Sequence, residues 1–215
     1  MKLKSFGCSF IFGTDLRDDG RTGAWAVPSK LTWPALLAQH HQWDYECFAR
    51  PGSGNLQITE KLLNQMIDPT PAVYVVGWTW IDRFDYAAAD TQKWHTVMPV
   101  DTDSTAETYY KHLHSEYRDK LTTLLNIKLS IDTLKSHGHQ FVMTYMDDLM
   151  FDTRWNTSPA VSELQRYCEP YMTRFDGKTF LEYSKEKGFE ISQTLHPLEN
   201  AHQAAFELIN SYNLV

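Results

Sequence analysis

Leu3-Lys4-Ser5-Phe6-Gly7-Cys8-Ser9-Phe10-Ile11-Phe12-Gly13 is the stretch on which the fold turns. Leu3 to Phe6 reads as a strand that stops at Gly7. A serine just past a buried strand, in a turn flanked by glycines, is presented to solvent with backbone N–H groups around it. The plainer alternative is a serine that caps a loop or a helix.

Working outward, strand-like and helix-like periods alternate. Thr32 is positioned to cap a helix running to about His41, with Pro34 tolerated in its first turn. Tyr45 to Ala49 reads as a second strand, followed by the turn Pro51-Gly52-Ser53-Gly54. Asn55 then caps a helix that turns Leu56, Leu62, Leu63 and Met66 inward. Ala72 to Val76 is almost wholly apolar, as a central parallel strand buried on both faces would be. Trp78 to Thr105 reads as a long irregular stretch rich in aromatic and acidic residues, and such stretches are usually functional or mobile. A long helix is expected from about Glu107 to His137, with Leu113, Tyr117, Leu121, Leu124 and Leu134 at helical spacing. Gln140 to Tyr145 and Phe189 to Ile191 are the next strands, and Leu198 to Tyr212 is a last amphipathic helix. This alternation predicts a three-layer α/β/α sandwich around a parallel sheet of about five strands. Residues 1–215 read as one domain, without repeat or linker.

Composition narrows the function classes. The net charge of −7 and the lack of a basic cluster argue against nucleic acid or an anionic membrane as partner. No apolar run approaches the ~18 residues of a transmembrane helix. The first residues lack a secretory signal, and Cys8, Cys47 and Cys168 suit reduced thiols. A cytoplasmic location is therefore expected. His40–His41, His112/His114 and His137/His139 lack metal-ligand spacing, and neither glycine turn fits a phosphate or dinucleotide fingerprint. No metal and no cofactor are expected.

In a parallel sheet the turns after successive strands gather at the carboxyl edge, where ligands bind. Besides the Ser9 turn, Arg50 to Asn55 offers the N–H of Gly52, with Gly54 as the alternative, to a developing oxyanion. Gly77-Trp78-Thr79 places a hydroxyl at the same edge. Near the C-terminus, His196 precedes Pro197, which holds it extended just ahead of a helix.

Together these four segments resemble the SGNH (GDSL-like) hydrolase superfamily, in order and over nearly the whole chain. Gly7-Cys8-Ser9…Gly13 looks like the first block, with Cys8 in place of aspartate. Gly52 matches the second block, because Ile58 falls where an aliphatic residue follows. Gly77-Trp78-Thr79-Trp80 looks like the third, with Thr79 replacing an asparagine whose amide donates to the oxyanion; a hydroxyl donates too, at shorter reach. His196-Pro197 matches the last block, and His202 stands where members often carry a second histidine. The Trp-Thr form of the third block is similar to bacteriophage-encoded versions. The resemblance implies the flavodoxin-like SGNH fold, with Ser9 as nucleophile, His196 as base, and the amides of Ser9 and Gly52 with Thr79 as oxyanion donors.

One departure concerns the triad acid. The family carries an aspartate two or three residues before the histidine, and here those positions hold Thr194 and Gln193. Either Ser9 and His196 form a dyad, or His196 is oriented by Gln193, a backbone carbonyl or a distant carboxylate. Asp15, Asp82, Asp85 and Asp147 are the distant candidates. Losing the acid costs a serine hydrolase several orders of magnitude.

The implied reaction is hydrolysis of a small acyl ester. Trp78, Trp80, Phe84, Tyr86 and Trp94, interleaved with Asp82, Arg83 and Asp85, suit carbohydrate. The expected substrate is thus a sugar O-acetyl group, with Trp78, Trp80 and Arg83 as binding residues. The same rings could instead pack a long loop onto the core. A catalytically silent domain binding a glycan or protein, and an acyltransferase on the same scaffold, are the rival readings.

Overall fold

Alternating side chains on four strands set the layers. The computed structural model describes residues 1–18, 27–67, 70–154, 156 and 158–213. In chain order the elements are β1 (Lys2–Phe6), α1 (Ser9–Phe12), α2 (Trp33–His40), β2 (Asp44–Cys47), α3 (Asn55–Asn64) and β3 (Ala72–Trp78). There follow β4 (Phe84–Ala87), β5 (Trp94–Val97), α4 (Ser104–His112), α5 (Glu116–Ser136), β6 (Gln140–Tyr145), α6 (Pro159–Cys168), α7 (Phe180–Glu186) and α8 (Glu199–Ser211). The main sheet is parallel, in the order β2-β1-β3-β6. Leu3, Val75 and Val142 face one side, where Trp33, Leu37, Ala201 and Ile209 of α2 and α8 cover them. Phe6, Tyr74, Val76 and Met143 face the other, against Ile58, Leu62, Leu124, Ile131 and Val161 of α3, α5 and α6. Full burial contributes about 1.5–3 kcal/mol for each large apolar side chain. Two such cores, one on each face, make the three-layer sandwich.

The sheet has four strands plus a trace of a fifth. Met172 forms a single parallel bridge with Met143, and the Thr173 amide donates to the Met143 carbonyl at 2.7 Å. The strand expected at Phe189 to Ile191 is instead one antiparallel bridge, Ile191 to Pro197, confined between the left-handed turn at Leu195 and the start of α8 at Glu199. The long helix is broken between α4 and α5. Ser115 caps the second piece by accepting from the Arg118 amide, and the Asp119 carboxylate gathers His114, Tyr109 and Arg118 at the break. Leu113 and Tyr117 are consequently exposed rather than inward. Leu56 is exposed too, and Ile58 takes the inward position. The irregular stretch after β3 holds the antiparallel hairpin β4–β5. Among the described residues, no helix is long and apolar enough to cross a membrane.

The seat of α1 positions the site. A Cβ on Gly7 would meet Ile11 Cγ1 at 2.5 Å, and one on Gly77 would meet the same atom at 2.6 Å. The ends of β1 and β3 thus accept Ile11 only because both carry glycine. Gly77→Ala is expected to lower stability by about 1–3 kcal/mol through this overpacking. The check is thermal melting, where each kcal/mol moves Tm by roughly 2–4 °C for a chain of this size; an unchanged Tm contradicts the packing.

Candidate active site

The first turn presents Ser9. Cys8 is buried and takes the N-cap position, so Ser9 is the first residue of α1. The Ser9 carbonyl accepts from the Gly13 and Thr14 amides at 2.9 and 3.0 Å, which closes the turn. The Ser9 amide, in the first turn of a helix, has no partner among the described residues. Ser9 is 7% exposed, a hydroxyl at the rim of the core.

The second turn lies beside it. The Arg50 amide donates to the Gly7 carbonyl at 3.1 Å, tying this loop to the end of β1. Gly52 has φ +81° and open space where a Cβ would stand, and its amide has no partner among the described residues. Gly54, the alternative, is committed elsewhere. Its amide donates to Asp85 Oδ1 at 3.0 Å, and a Cβ there would strike that carboxylate at 2.6 Å. Asp85 also accepts from the Gln57 amide at 2.9 Å and from Thr96 Oγ1 at 2.6 Å, so it serves the start of α3.

The third turn differs from expectation in two residues. Trp78 ends β3 wholly buried, so it packs the core and offers no surface to a ligand. Thr79 is clamped by Asn55, whose Oδ1 accepts from the Thr79 amide at 2.9 Å while Nδ2 donates to its carbonyl at 3.1 Å. The Thr79 hydroxyl is enclosed and meets no polar partner among the described residues. In this arrangement it is not open to a substrate oxygen. Trp80 does reach the site edge, with its ring 5.7 Å from that of Phe10. Arg83 lies over Trp80 at 4.9 Å and donates to the Ser53 carbonyl at 3.0 Å, bracing the Gly52 turn.

His196 arrives from a tight C-terminal loop. The Ser192 amide donates to the His196 carbonyl at 2.9 Å, and the His196 amide donates to Ser192 Oγ at 3.1 Å. Leu195 adopts φ +65° to make this possible. The imidazole packs against Phe10, the neighbour of Ser9, with ring centroids 5.2 Å apart. Its Nδ1 lies 2.8 Å from Asp15 Oδ2 and 2.9 Å from Thr194 Oγ1. Gln193 is exposed. Of the other carboxylates, Asp147 accepts from the Ile81 and Leu149 amides, both at 3.0 Å, and burial raises the carboxyl of Asp82 above its ordinary value. The structure therefore brings Ser9, Gly52, Trp80 and His196 to the carboxyl edge and adds Asp15. Asp15 is one of the four distant carboxylates that the sequence offered for this role.

Cavities lined by described residues flank this edge. One, of about 270 Å³, is lined by Arg50, Gly52, Ser53, Trp94 and His95 among others. Another, of about 460 Å³, lies past the end of β6 between Met146, Asp148, Leu181 and Glu182.

Solved structures place this architecture. A member of the lipolytic protein G-D-S-L family from Veillonella parvula DSM 2008 superposes with a TM-score of 0.54 at 12% identity, covering 98% of this chain and 97% of that one. The psychrotrophic esterase EstA from a Pseudoalteromonas species gives 0.52 at 9% identity, over 98% and 94%. The acetyl xylan esterase Est2A from the rumen bacterium Butyrivibrio proteoclasticus gives 0.51 at 15% identity, over all of this chain and 65% of that one. The chain thus has the fold of the G-D-S-L lipolytic proteins, the SGNH hydrolase fold. Neither protein-family models nor curated proteins give a match to the sequence.

His202, behind the site on α8, is a buried neutral imidazole. Its Nδ1 accepts the Trp33 amide at 3.2 Å. Burial, with a smaller contribution from His196, pushes it down to about 3. Because the folded value lies below the unfolded one of about 6.5, the unfolded chain binds the proton first, and stability falls as pH drops from about 6.5 toward 3. Urea midpoints between pH 7 and 4.5 are expected to decline in the wild type and to decline less in His202→Gln. Each proton difference is worth about 1.4 kcal/mol per pH unit, and equal slopes contradict the assignment.

Proposed function

We propose that this chain is an SGNH-type serine esterase that hydrolyses a small acyl ester, with an O-acetyl group on carbohydrate as the preferred substrate. The observation that carries this reading is an imidazole lodged against the neighbour of Ser9, beside two amides that have no partner among the described residues, at the carboxyl edge of a parallel sheet. A nucleophile, a base and hydrogen-bond donors for an oxyanion are what acyl transfer needs at one place.

In this reaction His196 Nε2 takes the Ser9 proton as Oγ bonds to the ester carbonyl carbon. The carbonyl oxygen becomes negative and accepts from the Ser9 and Gly52 amides. Collapse breaks the bond to the alkoxy oxygen, which leaves as the alcohol with the proton from His196. Water then repeats the sequence on the acyl-serine, releasing the acid and restoring Ser9. Thr79, with its hydroxyl enclosed, supports this site through the backbone clamp of Asn55. The carbohydrate preference rests on Trp80 beside Phe10 and on the polar cavity where Trp94 and Arg50 adjoin Gly52. The acetyl xylan esterase of similar fold is consistent with it.

The test is hydrolysis of p-nitrophenyl acetate and of acetylated xylo-oligosaccharides. Ser9→Ala and His196→Ala are each expected to remove activity above background, and Trp80→Ala to raise KM for the saccharide several-fold more than for the aryl ester. A wild-type rate equal to that of Ser9→Ala rejects the esterase reading. Equal KM changes for the two substrates reject the role of Trp80.

A further inference from the structure

We propose that Asp15 is the acid that orients His196, delivered from the loop behind the nucleophile, and that Ser192 and Thr194 hold its carboxylate in place. This rests on the reading of Ser9 and His196 as nucleophile and base. It assigns a positioning residue 181 places from the histidine, whereas the sequence resemblance puts the acid within three.

The geometry around one oxygen makes the case. Asp15 Oδ2 lies 2.8 Å from His196 Nδ1, accepts from Ser192 Oγ at 2.7 Å, and also accepts from Thr194 Oγ1. The two side chains are only partly exposed, 13% for His196 and 21% for Asp15, so bulk solvent screens the pair incompletely. Hydroxyl donors to a carboxylate oxygen favour its charged form. An ionised Asp15 then keeps the proton of neutral His196 on Nδ1 and leaves Nε2 to accept from Ser9. It also stabilises the imidazolium that forms in the reaction.

The backbone is built to hold this pose. Asp15 has φ +71°, the left-handed region that aspartate tolerates better than most side chains. Residues there are kept by surrounding structure, and three contacts supply it. The Leu16 amide donates to the Gly13 carbonyl at 3.3 Å, the Leu16 side chain is buried, and the Arg17 amide donates to Glu199 Oε1 at 2.9 Å. Glu199 opens α8, directly after the histidine loop, so one helix start anchors both partners. Of the ionisable groups on α8, Glu199 is bonded to the Arg17 amide, and His202 is neutral. Asp85 and Asp147 are engaged by other amides.

Thr194 makes the relocation testable. Its Oγ1 stands 2.9 Å from the same imidazole nitrogen, so a carboxylate at 194 can replace one at 15. The experiment measures p-nitrophenyl acetate kinetics for wild type, Ser9→Ala, Asp15→Asn, Asp15→Glu and the double variant Asp15→Asn/Thr194→Asp, with thermal melting of each. Asp15→Asn is expected to lower kcat by about 10²–10⁴-fold with KM within threefold. The double variant should recover at least tenfold over Asp15→Asn, and Asp15→Glu should fall between Asp15→Asn and wild type. A merely structural role predicts no recovery from a carboxylate placed at 194. A Ser9-dependent rate that Asp15→Asn leaves within threefold of wild type overturns the assignment while the esterase reading stands. A wild-type rate equal to Ser9→Ala overturns both.

Discussion

The close seat of Ile11 on two glycines is the constraint from which the site follows. The exits of β1 and β3 are adjacent in the sheet, and a side chain on either Gly7 or Gly77 would push α1 off them. With α1 seated, Ser9 is held at the sheet edge and Phe10 offers a ring to both His196 and Trp80. The Gly52 turn is drawn in by the same strand end, through the bond from the Arg50 amide to the Gly7 carbonyl. Ser9, His196 and the Gly52 turn therefore share one anchor, the end of β1.

A second link runs between the ends of the chain. The loop after α1 and the loop before α8 meet through Asp15 and His196, and the bond from the Arg17 amide to Glu199 reinforces the junction. The partners stand 181 residues apart, so the contact depends on β1 and α8 packing in one core. The histidine loop needs this support. It is short, contains a left-handed leucine at 195, and is closed at its base by the Ile191–Pro197 bridge.

Much of this was legible in the sequence, for local reasons. The apolar run at Ala72–Val76 encodes a central strand, because a strand covered on both faces is apolar almost throughout, and Leu3–Phe6 and Gln140–Tyr145 read as strands by their short period. The gathering of the Ser9, Gly52 and His196 segments at one edge follows from parallel topology. What was not legible depended on distant partners. The break between α4 and α5 is set by Asp119 gathering Tyr109, His114 and Arg118, which periodicity does not register. Trp78 reads as a loop aromatic by composition but is the last buried residue of β3. Asp15 was one of four carboxylates compatible with the sequence, and only tertiary structure separates it from Asp85, which caps α3. Gly52 and Gly54 were separated the same way, by Asp85 occupying the Gly54 amide.

The most direct test of the account is a crystal structure of the protein after reaction with a small fluorophosphonate. Phosphorus is expected bonded to Ser9 Oγ, with the phosphoryl oxygen within about 3.2 Å of both the Ser9 and Gly52 amides. His196 should lie beside the same adduct with its Nδ1 still on Asp15. Phosphorus on another residue, or a phosphoryl oxygen turned away from both amides, would contradict it.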